Sequence, residues 1–82
     1  MKTITELREE IDQIDKEIVN LLIKRMSISK DIGSKKEEIK DKSREMKVIL
    51  NVLNTSGEKV DPVFLREIYE LIIAESRRIQ LG

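Results

Sequence analysis

The sequence predicts an all-α fold of three helices, one long and two shorter. Apolar residues recur at alternating spacings of three and four, which keeps them on one helix face. Turn residues are scarce, with three Gly and one Pro in 82 residues. No stretch alternates apolar and polar residues with the period of two that a half-buried strand needs. A chain of this length holds one domain, residues 1–82, with helices expected at about 5–36, 41–54 and 62–81.

The first helix rests on Ile4, Leu7, Ile11, Ile14, Ile18 and Leu21, followed by Ile28 and Ile32. Thr3 and Glu6 have the spacing of a capping box, with Thr3 as N-cap. Gly33 alone does not stop the helix. The second helix carries Met46, Ile49, Leu50 and Leu53 on one side, and Asn54-Thr55-Ser56-Gly57 is the clearest loop in the chain. The third opens on Asp61-Pro62, an N-cap followed by proline at the first helical position. Leu65, Ile68, Ile72 and Ile79 form its stripe.

These lengths conflict with a compact monomer. A helix of ~30 residues is ~45 Å long, whereas a compact chain of this size has a radius of gyration of ~12 Å. The long helix must project beyond its short partners with its stripe still apolar. A second copy packed along it supplies the missing core, so a homodimer is expected.

Composition excludes several function classes. The chain has no His and no Cys, so zinc fingers, disulfide frameworks and Ser-His-Asp or Cys-His nucleophile pairs are absent. No EF-hand spacing is present, and no metal site is expected. Sixteen Lys+Arg balance sixteen Asp+Glu, which removes any bulk drive toward nucleic acid or an anionic membrane. Phe64 and Tyr69 are the only aromatics, too few for a base-stacking platform. Met1 to Glu10 carry no apolar signal region, and no run approaches the ~18 apolar residues of a membrane span. The expected compartment is the cytoplasm.

Some polar residues fall where the pattern wants apolar ones. Arg25 interrupts the first stripe after Leu21, and Lys36 extends it after Ile32. Eleven residues apart, the two cations share a face to within roughly 20°. Either Arg25 pairs with an acid from another helix or reaches the rim, or it awaits an anionic ligand. Arg8 lies roughly 100° around the helix from Arg25, beside a second stripe of Asp15, Val19, Leu22 and Met26. It is either an exposed arginine or a contributor to a site in another chain. On the second helix Asp41, Arg44 and Glu45 are surface neighbours at i, i+3 and i+4, although the helix dipole alone accounts for Asp41. On the third, Ser76 and Gln80 stand one turn apart beside Ile72, Ile73 and Ile79. They either need partners or satisfy themselves, Ser76 on its own backbone and Gln80 at a frayed end. Taken together, these groups sketch a pocket with two or three cations, a carboxylate, a hydroxyl and a neutral amide. It holds no nucleophile–base pair and no phosphate-cradling loop. It suits a small dianion, given the bidentate fit of Arg to carboxylate.

The ordered set Leu7-Arg8-Glu9-Glu10-Ile11-Asp12-Gln13-Ile14-Asp15, Leu21-Leu22-Ile23-Lys24-Arg25, Ile32-Gly33-Ser34-Lys35-Lys36, Asp41-Lys42-Ser43-Arg44-Glu45 and Ile72-Ile73-Ala74-Glu75-Ser76 with Gln80 resembles the all-α class of chorismate mutase. The resemblance covers nearly the whole chain. It implies an intertwined homodimer of three-helix chains, each site taking one arginine from the other chain. It implies the Claisen rearrangement of chorismate to prephenate, in the pathway to phenylalanine and tyrosine, with no cofactor and no covalent intermediate. By analogy, Arg8 of the partner subunit and Arg25 hold the carboxylates, assisted by Ser76. Lys36 and Gln80 donate to the ether oxygen. Glu45 accepts from the ring hydroxyl near the Asp41 backbone, with Arg44 beside it. An isochorismate-pyruvate lyase, a mutase of the amino analogue of chorismate, and a non-catalytic helical dimerisation module are the alternatives.

One stretch departs from the family pattern. Only Glu37-Glu38-Ile39-Lys40 separate Lys36 from Asp41, without Gly or Pro. A connection this short implies a tight turn with a more open site, a first helix running directly into the second, or a changed lysine role in which Lys35 or Lys40 replaces Lys36.

Overall fold

The computed structural model describes residues 1–35 and 41–82, and every regular element among them is helical. Helix α1 spans Ile4–Ser34, α2 spans Lys42–Ser56 and α3 spans Pro62–Leu81. The α1 start is a complete capping box: the Glu6 N–H donates to Thr3 Oγ1 at 3.1 Å, and the Thr3 N–H donates to Glu6 Oε1 at 3.2 Å. Such a cap stabilises a helix by about 1 kcal/mol. At the other end α1 stops two residues short of the expected 36. Ser34 Oγ donates to the Asp31 carbonyl at 2.7 Å, and the Lys35 N–H closes a tight last turn on the Ile32 carbonyl at 3.0 Å.

Helix α2 opens on Asp41 in an extended conformation, its carboxylate accepting from the Arg44 N–H at 3.0 Å. α1 and α2 are therefore separate helices, which corrects the reading in which the first runs directly into the second. The expected loop at Asn54–Gly57 is also corrected, because α2 continues to Ser56. Thr55 Oγ1 donates to the Asn51 carbonyl at 2.8 Å and Ser56 Oγ to the Leu53 carbonyl at 3.0 Å. These turn-forming hydroxyls bond back along the helix and do not interrupt it. Gly57, at φ +52°, is the left-handed cap that ends it. In α3, Asp61 caps through Val63 N–H at 2.9 Å, and Pro62 occupies the first helical position.

Helix α3 packs against both α1 and α2, while α1 and α2 make no close backbone approach among the described residues. The α1–α3 crossing is made by small residues. Ser29 and Ser76 are buried there. A Cβ added at Gly33 would stand 2.9 Å from Gln80 Cα and closer still to its carbonyl oxygen. Only glycine lets the two backbones come so near, so Gly33 sets where the end of α3, and with it Gln80, sits against α1.

The chain is elongated, 52 × 24 × 15 Å, with a radius of gyration of 15.6 Å, against ~12 Å for a compact chain of this length. Ile49 is the one buried apolar side chain among the described residues. By contrast Ile4, Leu7, Ile11, Ile14, Ile18 and Leu21 are each 47–66% exposed. Among the described residues, no helix is long and apolar enough to cross a membrane.

Candidate active site

One cleft of about 290 Å³ lies among the three helices. Each helix contributes one face, and on each the lining residues fall at i, i+3, i+4 and i+7, the signature of a single helical stripe. On α1 they are Arg25, Ile28, Ser29 and Ile32; on α2, Asp41, Arg44, Glu45 and Val48; on α3, Ile73, Ser76, Arg77 and Gln80. The isoleucines and Val48 make apolar walls. The remaining groups are three arginines, two carboxylates, two hydroxyls and one amide.

Arg25 occupies the position where α1 turns its apolar stripe toward α3. Its Nη1 donates to Ser76 Oγ, and that hydroxyl lies 3.6 Å from Met26 Sδ. Among the described residues Arg25 bonds a neutral hydroxyl and not an acid. Ser76 is bonded across the helix interface and not to its own backbone. Arg44 presents its side chain to the same space while its backbone N–H caps α2 through Asp41. Asp41 thus has a local task as N-cap in addition to its place on the cleft.

Glu45 is held differently. Arg77 Nε donates to its Oε2 at 3.3 Å, and Arg77 Nη2 donates to Oε1 at 2.9 Å and to Oε2 at 2.8 Å. Both side chains are about 30% exposed, so the pair is only partly screened by water. Arg77 and Ser29 are the polar cleft residues that sequence reasoning missed. The signal existed: Ser29 is one turn after Arg25, and Arg77 is one turn after Ile73 and one residue after Ser76. The adjacent Arg78 is the same residue type, so nothing local tells which of the two arginines faces the cleft. Arg78 is exposed. It pairs with Glu75 one turn back on α3, with Nη2 to Oε2 at 3.0 Å. That hydrogen bond holds the Glu75 carboxyl below its usual range and raises Arg78 above its own.

Of the eight candidate site residues, the cleft gathers Arg25, Asp41, Arg44, Glu45, Ser76 and Gln80. Arg8 does not line it: seventeen residues before Arg25, it stands ~25 Å away along α1. Lys36 lies outside the described residues, as does Lys40; Lys35 caps α1 and does not line the cleft.

Residues 7–81 match the family described as chorismate mutase type II. The chain belongs to the chorismate mutase type II family. A bifunctional chorismate mutase/prephenate dehydratase of Aquifex aeolicus (strain VF5) is 37% identical over 86 residues. That match covers 90% of this chain and 23% of the relative, so the chain spans about a quarter of the curated protein it resembles. No solved structure matches the chain. The chorismate mutase family match runs through all three helices that build the cleft, from Leu7 on α1 to Leu81 at the end of α3.

Proposed function

We propose that the chain is a chorismate mutase, converting chorismate to prephenate by an intramolecular Claisen rearrangement on the route to phenylalanine and tyrosine. The observation that carries this reading is the cleft of a chorismate mutase family chain in which Arg25 and Arg44 lack a carboxylate partner among the described residues and Ser76 and Gln80 supply neutral polar groups.

The substrate is a dianion. Arg25, with Ser76 behind it, holds one carboxylate by charge-assisted bonds, and the partner subunit's Arg8 holds the other. Glu45 accepts from the ring hydroxyl, with Arg44 and the Asp41 backbone beside it. Closing these contacts folds the enolpyruvyl arm over the ring, so the new C–C bond can form as the ether C–O bond breaks. Orientation of this kind removes much of an entropic barrier. Negative charge develops on the ether oxygen, and Gln80 and Lys36 donate to it there. Such preorganised donors act on the transition state more than on the ground state. No proton changes hands, so a cleft without histidine is sufficient.

The site is completed by a second copy. The exposed stripe from Ile4 to Leu21 and the single buried apolar side chain among the described residues support an intertwined homodimer, in which each α1 lies along the other and brings its Arg8 to the far cleft. Chorismate alone is offered to the purified chain, its disappearance followed and the product identified. Prephenate is expected. Release of pyruvate would establish a lyase instead, and an inert, folded dimer would establish a dimerisation module.

A further inference from the structure

Among the described residues, Arg77 is the one cleft arginine tied to a carboxylate. Arg25 bonds a hydroxyl, and Arg44 has no side-chain partner there. Arg77 therefore plays no part as a free anion clamp. Its Nε and Nη2 engage both oxygens of Glu45 at 2.8–3.3 Å, fixing the carboxylate from α3 although the acid is carried by α2. A carboxylate offers about four acceptor directions. The guanidinium occupies one side, and the remaining lone pairs can accept from a ligand.

Charge is the second consequence. A lone Glu45 would attract any cation that approached it, an ammonium more strongly than a hydroxyl. With Arg77 bound, the pair is close to neutral, and an arriving ammonium would stand within a few ångströms of a guanidinium. Discrimination often depends on such a built-in repulsive element.

We propose that Arg77 is a positioning residue that holds Glu45 as a neutralised acceptor and so makes the cleft prefer a hydroxyl over an amino group on the substrate ring. This rests on the mutase reading and on Glu45 facing that ring substituent. It selects chorismate over its analogue with an amino group in place of the ring hydroxyl.

The test compares kcat/KM for chorismate and for the amino analogue in the full chain and in Arg77→Gln, Arg77→Lys and Glu45→Gln. The parent is expected to favour chorismate by at least about tenfold. In Arg77→Gln that preference should fall by about tenfold or more, chiefly through KM, and Arg77→Lys should restore much of it. In the Glu45→Gln background Arg77→Gln should add little further loss, because the arginine acts through the acid. A parent that uses both substrates equally would overturn the inference without any variant. So would an active Arg77→Gln whose preference is unchanged, or full additivity in the double variant. A parent inert toward chorismate but folded would overturn the mutase reading and this inference with it, so the two failures are distinguishable.

Discussion

The two halves of α1 share a periodicity and differ in almost everything else. From Ile4 to Leu21 the stripe is uniformly apolar and about half exposed. From Arg25 to Gly33 the same face carries an arginine, a buried serine and a glycine, and α3 closes against it. The first half has surface to bury, and no described element of its own chain covers it. The second already has a partner and uses small and charged residues to leave a cleft. One continuous helix thus carries both the exposed apolar stripe and the α1 wall of the cleft.

The largest effect should come from breaking the bare half. Replacing Ile11 and Ile18 together by Asp removes burial worth about 1.5–3 kcal/mol per side chain from each copy, against a total stability on the order of 5–15 kcal/mol. Sedimentation should show loss of the dimer, and circular dichroism loss of much of the helix. A fully helical, active monomer would show that the stripe needs no cover.

Breaking the furnished half should spare the fold and stop the chemistry. Arg25→Ala removes charge-assisted bonds worth on the order of 3 kcal/mol, so kcat/KM should drop by two orders of magnitude or more with helicity largely intact. Activity within a few-fold of the parent would exclude the clamp role. The link between the halves is tested by refolding Arg25→Ala together with Arg8→Ala. Random pairing makes half the dimers mixed, each with one intact site of two, so about a quarter of the parental activity should return. Verified heterodimers without activity would argue that Arg8 does not act across chains.

At the far edge of the cleft, Gln80→Ala should cost about 10²–10³, mainly in turnover, the usual loss for one preorganised donor. Gln80→Glu should be poor near neutrality and recover as pH falls toward the ordinary glutamate range of about 4.3, because a carboxyl donates a hydrogen bond only when protonated. A flat pH–rate profile with parental turnover would remove Gln80 from the site.

The smallest effect belongs to the exposed pair next to the cleft. The hydrogen bond from Arg78 lowers the folded-state pKa of Glu75. Its contribution is therefore present above the unfolded carboxyl value and fades as pH falls through the lowered one. Glu75→Gln should reduce Tm slightly at neutral pH, and the difference from the parent should vanish in acid. A difference that grows on acidification would reverse the sign. Activity should be untouched, which separates Arg78 from Arg77 one residue away.

Local chemistry made much of the molecule legible. The capping box at Thr3, Asp61-Pro62 at the start of α3 and the three–four spacing of apolar residues are short-range patterns, and the backbone follows them. The polar breaks at Arg25, Glu45, Ser76 and Gln80 were visible for the same reason, because a charge or amide on an apolar stripe stands out one turn at a time. The end of α2 misled, since Asn54-Thr55-Ser56 reads as loop until the hydroxyls are seen to bond back along the helix.

The sequence by itself determined three helices and the spacing of their apolar residues, since each follows from one chain segment, but not which of those residues face inward: Met46 and Leu50 on the expected α2 stripe are exposed. Only the tertiary structure decided which inward groups meet. Nothing local marks Gly33 as the point where α1 touches the Gln80 backbone, or distinguishes Arg77, bound to Glu45 on α2, from Arg78, bound to Glu75 on its own helix. Two adjacent arginines differ by about 100° around the axis. What lies in each direction depends on how α3 is seated between α1 and α2, a property of the packing that no single helix carries.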